Sequence, residues 1–213
     1  MQSPRVEFQL KYFSIAPHNE ENPRILNVGS CDDPIHLGDV AMHVDIDDWS
    51  AANKHFTQSD AEKMPFADKS YHTVILGDML EHVVSPLNVI TESARCVETG
   101  GYLVLTVFEE WRLPGHGQFI AEGQALGDKV SQEMGYADRQ DFQVKEFPLR
   151  KGVDDNETPH LIHINQFNDE DMQNLIGFIV SLGFEAIELL KAPEAVHENH
   201  QWYNWLMSFR RVS

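Results

Sequence analysis

Asp45, Asp60 and His82 each stand at or just beyond a short apolar segment that reads as a β-strand. A carboxylate at a strand end can accept hydrogen bonds from ligand hydroxyls or amines, each charge-assisted bond contributing roughly 1.5–3 kcal/mol. An imidazole titrates near neutral pH and can take a proton from an oxygen nucleophile. Around these groups the chain reads Asp60-Ala61-Glu62-Lys63-Met64-Pro65-Phe66 and, further on, Leu80-Glu81-His82-Val83. Other histidines offer a different chemistry. His160 and His163 are three apart, as are His197 and His200, a spacing that on a helix could bring two imidazoles to one metal. The segment His160–Gln166 reads as extended, however, which sends alternate side chains to opposite faces. His197-Glu198-Asn199-His200 reads as a loop before a strand. A structural or solvent role is the expectation for both pairs, with no metal site, and a His-based metal-dependent enzyme remains the alternative.

The elements that must position these groups alternate. Arg24–Gly29 is an apolar strand closed by glycine, Val40–Asp45 a second ending in acid, and His55–Ser59 a short third. Tyr71–Leu76 is apolar and rich in β-branched residues, as a strand buried on both faces should be. Ser85–Val97 reads as a helix, with Pro86 near its start, where a missing N–H costs little. Leu87, Ile90, Ala94 and Val97 give it an apolar face. Gly100-Gly101 is expected to end it and to turn the chain into a strand over Tyr102–Phe108. Strands alternating with helices imply a mainly parallel sheet covered on both faces, an α/β fold. Ligands of such sheets bind beyond the carboxyl ends of the strands, where the strand order switches, and the candidate residues all fall there.

The flanks are less regular. Residues 1–23 read as irregular with one short strand at Val6–Phe13. After Phe108 the pattern breaks, with a helix expected at Phe119–Met134 and extended chain at Phe142–Leu149. Long irregular stretches in a compact domain are commonly functional covers or disorder, so 109–166 reads as an insertion that can close over the site, with Trp111, His116 and Phe119 either substrate-pocket walls or core. A helix opens at Asn168-Asp169-Glu170-Asp171, whose acids suit an N-terminus, and stops at Gly183. Phe184–Leu190 and Trp202–Arg210 read as the last two strands, an antiparallel pair at the sheet edge.

At 213 residues and 42% hydrophobic content the chain suits a single well-cored domain over 1–213. Sixteen Lys and Arg against 34 Asp and Glu leave a net charge of −18, spread along the chain. Nucleic-acid binding draws on phosphate neutralisation, and the only adjacent basic pairs are Arg150-Lys151 and Arg210-Arg211. No nucleic-acid partner is expected, and the acidity reads as solubility. No apolar run approaches the roughly 20 residues that span a bilayer, so no membrane partner is expected. Cys31 and Cys96 are too few for a disulfide framework, and the start of the chain lacks the apolar core of a secretory signal. The expected compartment is the cytoplasm. Oligomeric state does not follow from these features.

The order of motifs over residues 24–108 closely resembles the class I S-adenosylmethionine (SAM) methyltransferase fold, with a looser likeness in the C-terminal third. The resemblance implies a Rossmann-like, mainly parallel seven-stranded sheet and SAM as cofactor. It implies Asp45 as acceptor for the ribose diol with Ile46 beside it. Asp60 would meet the adenine amine, with Ala61 and Glu62 in the same turn. Gly29, Ser30 and Cys31 would lie along the first loop, and Gly77, Asp78 and Met79 would follow the fourth strand. His82 would stand near the methyl group, either as a base or only to pin the loop. The first loop departs from the family's Gly-x-Gly-x-Gly: Gly29-Ser30-Cys31-Asp32-Asp33 keeps only the first glycine, and Asn27 replaces the usual acid. Leu26-Asn27-Val28-Gly29-Ser30 resembles a branch associated with glycan or small-metabolite pathways, which implies a small-molecule or glycan acceptor. The alternative is a catalytically inactive SAM-fold partner protein that lost activity with its glycines.

Overall fold

Tyr71–Gly77 (β4) is the centre of the sheet, and Val74, Ile75 and Leu76 are wholly buried. In a computed structural model covering residues 3–17, 20–30, 37–46, 48–83, 85–109, 167, 169–197 and 200–213, β4 lies between Ile25–Val28 (β1) and Val97–Glu109 (β5), parallel to both. Ala41–Asp45 (β2), entered through a 3-10 turn at Gly38–Val40, pairs with the other side of β1, and Phe56–Gln58 (β3) pairs with β2. Phe184–His197 (β6) and His200–Arg211 (β7) are antiparallel, and β7 lies against β5. Among the described residues the sheet has seven strands in the order β3-β2-β1-β4-β5-β7-β6. The expected edge pair is therefore present, with β7 inside and both strands longer than their apolar cores.

Two apolar layers enclose the sheet. On one face α2 (Pro86–Cys96) and α3 (Asp169–Ser181) bury Val89, Ile90, Ala94, Met172, Leu175 and Ile179 in one cluster with Val74, Leu76 and Leu105. Burying such a side chain contributes about 1.5–3 kcal/mol. The other face carries a helix, α1 (Pro4–Ile15), whose Phe8 and Tyr12 pack with Ile75, Val104 and Leu206.

This helix overturns the strand expected at Val6–Phe13. The apolar residues alternate there, but the Ser3 hydroxyl accepts from the Val6 N–H at 3.4 Å and Pro4 occupies the first turn. Capping by serine and the preset φ of proline start a helix, and Phe8 and Tyr12 then share one face at i, i+4.

A second correction concerns Gly100-Gly101. The helix ends earlier, at Cys96, where Arg211 Nη1 donates to the Ala94 and Val97 carbonyls at 2.6 and 3.0 Å. A cation there satisfies terminal carbonyls and opposes the helix dipole. The glycines sit within β5, beside a register irregularity between Tyr71 and Thr73. Gly100 has φ +86°, and a Cβ on Gly101 would collide with the His72 carbonyl oxygen. α3 opens with Asp169, Glu170 and Asp171 and is followed by Gly183 at φ +91°, as the sequence implies. The expected elements at Phe119–Met134, Phe142–Leu149 and His160–Gln166 lie outside the described residues, as does nearly all of the cover segment 109–166.

Candidate active site

β1 pairs with β2 on one side and β4 on the other, so the strand order switches between β1 and β4. A crevice opens at the carboxyl ends of strands at such a point. Gly29 ends β1 at φ +70°, a conformation glycine adopts without a steric penalty. Its N–H donates to the Val44 carbonyl at 2.9 Å, and the Ser30 N–H reaches the same oxygen at 3.3 Å. The turn thus folds against the end of β2. Ser30 is buried, and its hydroxyl has no partner among the described residues. Cys31 lies outside them. Asn27, in the place of the family's acid, has its amide nitrogen 3.4 Å from Nδ1 of buried His43.

Asp45 ends β2, half-buried, and its carbonyl accepts from the Ser59 N–H at 2.9 Å. Ile46 follows, 44% exposed, its carbonyl held by Gln58 Nε2 at 2.9 Å. A carboxylate and an exposed apolar side chain therefore stand together on the crevice wall. After β3, Asp60 Oδ1 accepts from the Glu62 N–H at 2.8 Å and the Asp60 carbonyl from the Lys63 N–H at 3.1 Å. This closes a turn with Ala61 packed against the core.

Glu62 has a different task from its neighbours. Its Oε1 accepts from the Ser85 N–H at 2.9 Å and its Oε2 from Asn88 Nδ2 at 3.1 Å, so it satisfies the N-terminus of α2 rather than pointing to a base. Sequence reasoning missed the rest of this strap. Arg95 of α2 donates to the Phe66 carbonyl at 2.6 Å, the Met64 carbonyl at 3.2 Å and Asp68 Oδ1 at 2.8 Å. Glu92 accepts from Arg95 and from the Met64 N–H at 3.1 Å. Bonding to Glu92 and Asp68 raises the Arg95 pKa further, so the strap holds a permanent cation. The i, i+3 pair of Glu92 and Arg95 was visible in the sequence, but its target loop was not.

Beyond β4, Asp78 adopts φ +48° and Met79 is buried against Gly29. The His82 N–H donates to the Met79 carbonyl at 2.9 Å, which places half-buried His82 on the turn that follows the strand. Asp78 is the hub of a network that also escaped sequence reading. Arg5 of α1 pairs with Asp78 Oδ2, and the Thr106 hydroxyl of β5 donates to Asp78 Oδ1 at 2.7 Å. Gln9 Nε2 donates to that hydroxyl at 3.0 Å and lies 2.8 Å from where a Cβ on Gly77 would sit. Gly77 thus makes room for Gln9 at the strand's end. The signal that could have found this network was Ser3-Pro4, which puts Arg5 and Gln9 one turn apart on a helix face.

Trp111, His116 and Phe119 lie outside the described residues, as do His160 and His163. His197 and His200 form the last backbone pair of the β6–β7 hairpin rather than a loop before a strand. Among the described residues no group of three His, Cys, Asp or Glu side chains could hold a metal ion. No helix among them is long and apolar enough to cross a membrane.

A family model described as a methyltransferase domain matches residues 38–105, the stretch from the 3-10 turn before β2 through most of β5. The fold is similar to a SAM-dependent methyltransferase structure from Methanosarcina mazei, with a TM-score of 0.60, 15% identity, and 92% of this chain and 95% of that one covered. Residues 38–105 thus match the methyltransferase domain family, and the chain has the fold of the SAM-dependent methyltransferases. SAM is the cofactor of that family, and the Rossmann-like sheet is its fold. Two curated methyltransferases are related in sequence. Malonyl-acyl-carrier-protein O-methyltransferase of Marinomonas sp. is 31% identical over 65 residues, 30% of this chain and 24% of that protein. Ubiquinone/menaquinone biosynthesis C-methyltransferase of Coxiella burnetii is 25% identical over 133 residues, 61% of this chain and 52% of that protein. The matches therefore span about a quarter and about half the length of these curated methyltransferases.

Proposed function

We propose that the protein is a SAM-dependent methyltransferase acting on a small-molecule acceptor, a glycan being the other acceptor the sequence suggests. The observation that carries this reading is the convergence of Gly29, Ser30, Asp45, Ile46 and Asp60 at the carboxyl ends of β1, β2 and β3, beside the switch point. The residues fit the cofactor. Asp45 would accept from the ribose hydroxyls, and exposed Ile46 offers an apolar surface to the base. The turn at Asp60 and Ala61 would meet the adenine edge. Gly29, with its positive φ, and the unpartnered Ser30 hydroxyl offer close backbone approach and a polar contact to the amino acid tail. Gly77, Asp78 and Met79 close the opposite wall.

Bound SAM supplies an electrophilic methyl group. The chain's own share is alignment, for which effective molarities of about 10⁵–10⁸ M are accessible, and removal of the acceptor's proton. His82, on the turn after β4, is the proposed base. The activities of the two curated relatives, one an O- and one a C-methyl transfer, favour a small or carrier-bound acceptor without fixing the methylated atom. Calorimetric titration with S-adenosylhomocysteine tests the cofactor assignment. Micromolar binding is expected, and its absence in the wild type, with recovery on substituting Cys31→Gly and Asp33→Gly together, would favour the inactive partner protein.

A further inference from the structure

Two carboxamides on the α1 face of the sheet stand out because part of each is buried without a hydrogen bond. Gln9 is 2% exposed and Asn204 is 1% exposed. Gln9 Oε1, Asn204 Oδ1 and Asn204 Nδ2 have no partner among the described residues. Buried polar groups are nearly always paired, and exceptions concentrate where something else supplies the partner. Both lie at the end of the sheet that carries the site. Gln9 packs over Gly77 at the carboxyl end of β4. Asn204 of β7 is in register with Phe108, near the carboxyl end of β5, two pairs beyond Thr106 and Leu206. Leu206 packs with Phe8 and Tyr12 of α1, and Ser208 bonds Tyr12, so alternation puts Asn204 on the same face.

The network around Asp78 fixes which end of Gln9 is available. The Thr106 hydroxyl gives its one proton to Asp78 Oδ1 and so can only accept from Gln9. Gln9 therefore directs its nitrogen to Thr106 and keeps its oxygen unused. The charges nearby cancel, since Arg5 is paired with Asp78. The groups that Gln9 and Asn204 leave available are two acceptors and one amide donor, all uncharged.

We propose that Gln9 and Asn204 form a subsite for the methyl acceptor, and that they recognise an uncharged molecule with an amide-like edge, an N–H or O–H beside a carbonyl oxygen. This rests on the methyltransferase reading for its place beside the methyl group, but the recognition follows from the two carboxamides alone. Such an edge donates to the Gln9 and Asn204 oxygens and accepts from Asn204 Nδ2. A carboxylate of the same shape meets two acceptor oxygens and is repelled.

The test uses the full chain, wild type and the variants Asn204→Leu and Asn204→Val, with benzamide and its charged isostere benzoate as probes. Three quantities are read: the thermal midpoint without ligand, S-adenosylhomocysteine affinity by calorimetry, and probe affinity by NMR titration with and without S-adenosylhomocysteine. Benzamide is expected to bind the wild type in the millimolar range and Asn204→Leu at least tenfold more weakly. Benzoate should not bind measurably. The midpoint should hold or rise in Asn204→Leu, because an unpaired buried amide is replaced by a side chain of similar shape, and S-adenosylhomocysteine affinity should change less than twofold. Four results would overturn the subsite: no benzamide binding, equal benzamide binding by wild type and variants (an ordered water only), benzoate binding as tightly as benzamide, or marked destabilisation of both variants. Loss of S-adenosylhomocysteine binding by the wild type itself would sink the cofactor reading instead, and the benzamide titration of unliganded protein would still decide the subsite.

Discussion

Gly29 and Met79 meet across the switch point so closely that a Cβ on Gly29 would lie 3.0 Å from the Cβ of Met79. The loop after β1 and the loop after β4 are therefore locked together at one residue whose φ of +70° already disfavours any side chain. Gly29→Ala should destabilise the protein by about 1–2 kcal/mol from the left-handed backbone alone, and further because Met79 must move. Thermal unfolding checks it. An unchanged midpoint would mean that the two loops are not coupled.

Asp45 carries a prediction that separates binding from stability. Its carboxylate ends β2 at the crevice, while the backbone bond from Ser59 holds the strand end in place. Asp45→Ala should weaken S-adenosylhomocysteine by more than about tenfold, since 1.4 kcal/mol is one decade. An unaltered dissociation constant by calorimetry moves the diol contact elsewhere.

Arg95 acts at a distance from the cofactor through the Met64–Asp68 loop. Arg95→Ala should cost about 1.5–3 kcal/mol, the range of a hydrogen bond to a charged group, and should loosen the Asp60 turn that precedes the loop. Arg95→Lys should recover little, because a single ammonium cannot reach two carbonyls and two carboxylates as the planar fork does. Unfolding midpoints of the two variants, with amide exchange at residues 60–68, give the answer. Full recovery by lysine would reduce the strap to simple charge attraction.

Tyr12 sets an alkaline limit. Its hydroxyl donates to Glu188 Oε2 at 3.0 Å and accepts from the Ser208 hydroxyl at 2.5 Å. Burial, opposed by the Ser208 bond and reinforced by Glu188, pushes its pKa from 10.0 up to about 12. The folded state therefore holds this proton more tightly than the unfolded chain. The stabilisation is complete below pH 10.0, falls as pH rises towards about 12, and is gone above it. Tyr12→Phe should lower stability at pH 7 by about 0.5–1.5 kcal/mol and flatten the decline between pH 10 and 12. Urea midpoints across that range test both, and parallel profiles for wild type and variant would sink the argument.

Local signals carried most of the parallel half of the sheet. β4 is legible because it is apolar on both faces, and α2 because Ser85 and Pro86 mark its start within one turn. Asp45 could be singled out because a strand end is a local property. The relationships that bind the site together are not local. Glu62 meets Ser85 and Asn88, and Arg95 meets Met64 and Phe66, only once the sheet has brought the segments together. Val6–Phe13 misled because its apolar residues alternate, and there the cap at Ser3 and Pro4 outweighed the alternation. Gly100-Gly101 misled for a related reason. The helix stop came from Arg211, more than a hundred residues away, while the glycines answer to the close approach of the His72 carbonyl.

Because β7 lies between β5 and β6, the last of the described strands is an interior one. During synthesis from the N-terminus, β5 keeps an open row of N–H and C=O groups until residues 200–211 have been made. An open apolar edge of this kind recruits strands from other chains, so the growing chain stays vulnerable until β7 has been made. Removing residues 200–211 would do more than trim a hairpin. It would split the sheet beside the catalytic half, strip the Arg211 cap from α2 and leave a species prone to aggregate.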